Sequence, residues 1–185
     1  MRWAFTRVLF PLSLTLMACI ERPEGTRVAA QSANRASLGE VLLKSAPTPQ
    51  HAVGARFENG IELLGYDVAP EPAPRGGQTT VSFYYAATED VQEDWQIFLH
   101  IDDVGKNAPR IGRDHYPAQG RLRTNAWRKG DIIKDTFVVN PPEAAAGLEL
   151  WTGFYQGEDR LTVSSAGRGV NDGLNRIRVG VIPLK

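Results

Sequence analysis

From residue 57 to the C-terminus the apolar positions recur every second residue, in short runs separated by turn-forming residues. A period of two marks a β-strand with one buried face. The runs fall at Ile61–Val68, Thr79–Ala86, Trp95–Asp102, Ile132–Val139, Leu148–Tyr155, Arg160–Ser164 and Arg176–Ile182, with Arg110–Tyr116 as a short edge strand. PEPAPRGG, PPEAAAG and GRGVNDG lie between them, and Pro and Gly at that density break strands into hairpins. No helical periodicity of useful length follows residue 45. The pattern therefore predicts an all-β domain over 57–185, an antiparallel β-sandwich of the immunoglobulin-like or jelly-roll kind seen in carbohydrate-binding modules.

The run WQIFLHID has the clearest alternation. Trp95, Ile97, Leu99 and Ile101 share one face, and Gln96, Phe98, His100 and Asp102 share the other. After it comes a long connection, Asp103 to Lys129, which carries Asp114 and His115 and ends near Trp127. Connections of that length within a compact domain are commonly functional or mobile.

Upstream the pattern changes. Arg2 and Arg7 precede an apolar stretch, Val8 to Ala18, that is too short to span a bilayer but suits an export signal over 1–18. Residues 19–56 are polar, small and Pro-containing, a composition expected of a tether. Within it SLGEVLLKS has the makings of a short helix, with Ser37 as N-cap and Glu40 three residues on. Leu38, Val41 and Leu42 either dock on the domain or fray with it.

Composition narrows the classes. The chain has 185 residues, 42% of them hydrophobic, enough for one ordinary core. The 21 basic and 21 acidic residues are scattered, so neither a nucleic-acid partner nor a polybasic membrane patch is indicated. Cys19 is the single cysteine, which excludes an intramolecular disulfide. It directly follows the apolar stretch, in Leu16-Met17-Ala18-Cys19. That tetrad resembles the lipobox of bacterial lipoproteins, and the resemblance implies that Cys19 is lipidated and becomes the first mature residue. Ile20 and Glu21 lack the aspartate that retains many such proteins at the inner membrane, which implies the outer membrane.

A second resemblance covers roughly residues 57–164. Leu64-Gly65-Tyr66, Phe98-Leu99-His100, Asp114, Trp127-Arg128-Lys129-Gly130-Asp131, Asp135, Gly153-Phe154-Tyr155 and Arg160-Leu161 stand in an order and spacing similar to a bacterial β-sandwich module. That module is found C-terminal to the membrane part of mannosyltransferase-type lipid-linked glycosyltransferases. The resemblance implies a carbohydrate-binding-like fold. It implies no transferase activity, because the chain has no multi-span segment and no catalytic half.

His100, Asp102, Asp114 and His115 are the candidate ligand cluster, with Trp127 and Trp151 as candidate aromatic contacts. Imidazole and carboxylate together suit zinc or calcium, but the spacing matches no metal signature, and no metal or cofactor is expected. The favoured reading pairs His100 with Asp114, pinning the long loop to the strand. Trp95 alternates with Ile97 and Leu99 and is expected in the core, Trp127 is expected to pack across the sandwich end, and Trp151 is the best candidate for an exposed ring. No Gly-x-Ser-x-Gly occurs, and Asp131 with Asp135 is only a nominal carboxylate pair, so no hydrolase signature stands out. The expected function is a non-catalytic envelope lipoprotein presenting a binding module, with glycans as the ligand class. The alternatives are a structural accessory that scaffolds a protein complex at the membrane and, more faintly, a metal-dependent enzyme.

Overall fold

The computed structural model describes residues 35–185; Cys19, the export signal and the first part of the expected tether lie outside the described residues. Twelve strands run in chain order: β1 Leu42–Leu43, β2 His51–Phe57, β3 Ile61–Ala69, β4 Thr79–Ala87, β5 Gln96–Asp103, β6 Ile111–Gly112, β7 Ile132–Val139, β8 Gly147–Gln156, β9 Asp159–Arg160, β10 Val163–Ser165, β11 Val170–Asn171 and β12 Ile177–Pro183. They form two sheets. The first has the order β1-β7-β4-β3-β2-β10, and the second has the order β11-β12-β8-β5-β6 with β9 beside β8. Neighbouring strands are antiparallel throughout. The sandwich expected from the period of two is the fold.

The inward residues of both sheets meet in one core. Leu63, Phe83, Tyr85 and Ile133 come from the first sheet; Ile97, Leu99, Leu150, Phe154 and Ile177 come from the second. Edge-on rings bind its centre: Tyr85 meets Phe154 at 5.5 Å and Phe57 meets Phe154 at 5.0 Å. Such contacts add to the burial of the rings themselves.

The folded unit starts at Arg35, earlier than the expected boundary at Phe57. β2 is an integral strand, with His51 opposite Tyr66 and Arg56 opposite Glu62. Its bulge between Ala52 and Ala55, where Gly54 takes φ 68°, breaks the alternation and hides the strand from a period-two reading. Upstream of it the chain turns over residues 37–41, with the Leu42 N–H on the Leu38 carbonyl at 2.6 Å. Leu38 and Val41 dock on the core, and β1 pairs with Ile132 and Ile133 of β7. Arg35 fixes the start: its guanidinium reaches both carboxylate oxygens of Asp131 at 2.5 and 2.6 Å and the Ala126 carbonyl at 3.0 Å. A bidentate pair of this kind supplies direction as well as energy.

The expected strand Arg160–Ser164 is two strands. β9 pairs with β8 in the second sheet, and β10 pairs with β2 in the first. Leu161 between them is 3% exposed, turning into the core as the chain crosses from one sheet to the other.

Candidate functional site

The outer face of the second sheet holds most of the unusual polar chemistry. β5 presents Phe98, His100 and Asp102 outward, and β8 presents Glu149, Trp151, Gly153 and Tyr155 opposite them. The register pairs Gln96 with Tyr155, Phe98 with Gly153, His100 with Trp151 and Asp102 with Glu149. β12 adds Arg178 beside Trp151. The glycine is a packing requirement: a Cβ on Gly153 would stand 2.5 Å from Cζ of Phe98, so the Phe98 ring lies flat across the strand only because position 153 has no side chain.

Charged groups knit this band together. Arg110 binds Asp102 through Nε at 2.6 Å and Nη2 at 2.8 Å. Glu149 accepts from Arg178 Nη1 and from the Trp151 indole N–H, both at 2.8 Å. Arg176, held by Asp172 at 2.7 Å, lies 4.4 Å from the Trp151 ring centre, and Arg160 lies 4.9 Å from that of Phe98. Trp151 is therefore a half-buried ring in a cation–π stack on the outer face, and the face as a whole is a rigid aromatic and polar surface.

Beside it, Phe98, His100, Asp114, Tyr155, Gly157, Glu158 and Arg160 line an open cleft of about 190 Å³. His100 lines this cleft, and its Nδ1 is buried with no hydrogen-bond partner. Burial first, then the charge of Arg110, hold the His100 imidazole below its ordinary pKa, so the ring is neutral at neutral pH. Asp114 sits in the same cleft, but its hydrogen bond is with the Leu99 backbone N–H, at 3.4 Å, and not with His100. The expected His100–Asp114 bond is thus corrected: the two share a cleft, and neither pins the other.

The pin is one residue further on. His115 Nε2 lies 2.7 Å from Oδ2 of Asp135 on β7, and its Nδ1 lies 2.7 Å from the Arg113 carbonyl. With an acceptor on each side, the ring satisfies both only as the imidazolium. Burial opposes that charge, but the hydrogen bond and charge of Asp135 outweigh burial, and the His115 pKa is raised. Asp135 is 0% exposed and also accepts the Ala118 N–H, through Oδ1 at 2.9 Å. That bond anchors the turn at Pro117–Gly120, where Ala118 and Gln119 take φ 52° and 57°. Two successive non-glycine residues in the left-handed region carry backbone strain that the surroundings must hold. His115 belongs to the β5–β6 edge, where it bridges Ile97, so the pair ties one sheet edge to the other.

The expected cluster is therefore divided. His100 and Asp114 face the cleft, Asp102 is committed to Arg110, and His115 turns inward to Asp135. Among the described residues no group of three His, Cys, Asp or Glu side chains is arranged to hold a metal ion. Trp127 is 0% exposed, with its indole N–H on the Leu122 carbonyl at 3.0 Å. Trp95 is 9% exposed. Asp103, absent from the expected cluster, closes the start of the long loop. Its oxygens accept the N–H groups of Gly105, Asn107, Ala108 and Ala146 at 3.1, 2.6, 3.2 and 2.8 Å. Desolvation works against the carboxylate, yet these donors hold its pKa down to about 2.

No protein-family model and no curated protein matches the chain. Among solved structures it is similar to the C-terminal domain of wzt, at 12% identity and a TM-score of 0.46, with 76% of this chain and 82% of that one covered. The sandwich assignment rests on this chain's own two sheets. The positions that carry the resemblance to the mannosyltransferase-associated module are largely structural here. Tyr66, Trp127, Phe154 and Leu161 are buried, Asp131 binds Arg35, Asp135 binds His115, and Gly153 makes room for Phe98.

Proposed function

We propose that this chain is an exported lipoprotein, anchored through Cys19 in the outer membrane, whose β-sandwich is a non-catalytic module that binds glycans. The observation that carries the glycan reading is the outer face of β5, β8 and β12. His100, Trp151 and Tyr155 stand side by side there over the buried Phe98, among carboxylates and guanidinium groups with fixed partners. Sugars present apolar ring faces and a fringe of hydroxyls. A rigid surface of aromatic rings and planar hydrogen-bonding groups suits both, at little entropic cost because the side chains are already ordered.

Retention of the full chain on an array of bacterial envelope glycans tests this reading. The Trp151→Ala variant is expected to lose at least about tenfold in affinity, the scale of a central aromatic contact. Retention of any glycan at undiminished affinity by that variant refutes the assignment to this face.

One observation favours the second reading, a scaffold for a protein complex. β1 covers only Ile132 and Ile133 of β7, and a cleft of about 540 Å³ lined by Val41, Leu43, Gln119, Arg121, Lys134 and Thr136 lies beside it. Co-purification of a stoichiometric envelope protein, lost on Lys134→Glu and kept on Trp151→Ala, would favour the scaffold.

A further inference from the structure

We propose that the cleft over Phe98 is a subsite for the hydroxyl edge of an uncharged sugar ring, recognised by His100 Nδ1, Asp114 and Arg160. This rests on the glycan reading of the same face and goes further, assigning a ligand charge and three contact residues.

The first ground is the unpartnered atom. Buried polar atoms are nearly always hydrogen-bonded, because losing water without gaining a partner is costly. His100 Nδ1 is buried, lacks a partner, and belongs to a residue that lines the cleft. A small turn of the half-buried ring toward the cleft brings it to a ligand hydroxyl, which both donates and accepts and so suits either tautomer.

The second ground is the balance of donors and acceptors. Asp114 has one oxygen on the Leu99 N–H and the other without a hydrogen bond among the described residues, and Glu158 adds a second carboxylate. The Tyr155 hydroxyl donates to Gln96 Oε1 at 3.2 Å, which leaves its oxygen able to accept. Against these acceptors stands one cation in the lining, since Arg110 and Arg176, whose charges also reach His100, are paired with Asp102 and Asp172. Arg160 spends Nη1 on the Leu174 carbonyl at 2.9 Å and keeps its other N–H groups for a ligand. An acceptor-rich cleft with two carboxylates and one guanidinium repels uronates and phosphates, and welcomes a group that donates several O–H bonds and accepts one or two. A sugar ring with adjacent free hydroxyls has that pattern. The neutral state of His100 fits as well, since a ring charged at neutral pH would instead recruit an anion.

The third ground is rigidity. Phe98 is 3% exposed, clamped between Gly153 below and the Arg160 guanidinium above, so the floor of the cleft does not collapse when empty.

The chain contains three histidines, so ¹⁵N labelling of histidine gives a direct reading. Glucose, galactose and mannose are titrated separately into the full chain, with glucuronate, galacturonate and glucosamine as charged counterparts. At least one neutral hexose is expected to shift the His100 ring nitrogens and leave those of His51 unmoved. Its uronate should act at least about tenfold more weakly, and Asp114→Asn should weaken the hexose response by about tenfold, as expected for loss of a charged hydrogen-bond partner. A stronger response to a uronate or to glucosamine overturns the proposed ligand charge. Glycan retention on the array with His100 unmoved by every sugar overturns this subsite and leaves the outer-face reading standing. Absence of both retention and shifts overturns the two together.

Discussion

Replacing Asp135 with alanine removes two accepted hydrogen bonds at once, from His115 Nε2 and from the Ala118 N–H, in a place water does not reach. Removing one partner of a buried ion pair costs about 3–5 kcal/mol. The His115 side chain keeps 20% of its exposure, so solvent recovers part of that cost and about 3 kcal/mol is expected. For a domain of this size that lowers the unfolding midpoint by roughly 6–12 °C. Asp135→Asn keeps the volume and the acceptor for Ala118, and should lose about half as much. The pair also sets a pH dependence. The His115 pKa is raised in the folded chain, so the stabilisation is fully present below the unfolded value of about 6.5 and is lost as pH rises through the folded value. Thermal unfolding followed by circular dichroism from about pH 5 to about pH 9 reads both effects, and the advantage of wild type over Asp135→Asn should shrink with rising pH. A cost under about 1 kcal/mol for Asp135→Ala, or an advantage that grows with pH, refutes the assignment of the pair as the tie between the sheet edges.

Two other expectations follow from single residues. Cys19→Ser should move the protein from the membrane to the soluble fraction of an envelope preparation and abolish incorporation of labelled fatty acid; unchanged partitioning and mobility would refute lipid anchoring. Asp103 has its folded pKa depressed to about 2, so its contribution is present above the unfolded value of about 3.9 and is lost as pH falls through about 2. In Asp103→Asn the decline of stability below about pH 4 should flatten, and the amides of Gly105, Asn107 and Ala146 should exchange faster at neutral pH. Unchanged protection of those amides would count against the carboxylate as the organiser of the loop.

Where the chain alternates, the sequence was readable. β3, β4, β5, β7, β8 and β12 lie within a residue or two of their expected bounds, because each has one face on a shared core. β2 was hidden by the Gly54 bulge, and β1 and β11 are two residues long, too short for a period of two to register. The partner of the long loop was misread for a different reason. A loop returning over the outer face of β5 was expected to bring Asp114 to His100, whereas pairing across the sandwich depends on which residues face inward. Ile133, Asp135 and Val139 share the inward register of β7, and a carboxylate among apolar positions demands a buried donor. That was the available signal for Asp135, and it pointed to a histidine or arginine arriving from the opposite sheet.

The division between His100 and His115 separates the group that holds the long loop from the groups of the proposed subsite. At the β5–β6 edge successive side chains point to opposite faces, so Asp114 and His115, adjacent in sequence, go outward and inward. The inward residue is charged, doubly bonded and tied to Asp135, and it holds the strained turn at Ala118 and Gln119 without help from a disulfide. The outward residue is left in the cleft beside a neutral histidine whose buried nitrogen has no partner. Had the loop bonded Asp114 to His100, as expected, both would be satisfied internally and the cleft would offer a ligand little beyond Arg160 and Glu158. Because the structural duty falls on His115 and Asp135, Nδ1 of His100 stays without a partner and Asp114 keeps acceptor capacity beyond its bond from the Leu99 N–H. That is the condition under which a ligand's hydrogen bonds add affinity without first having to order the site.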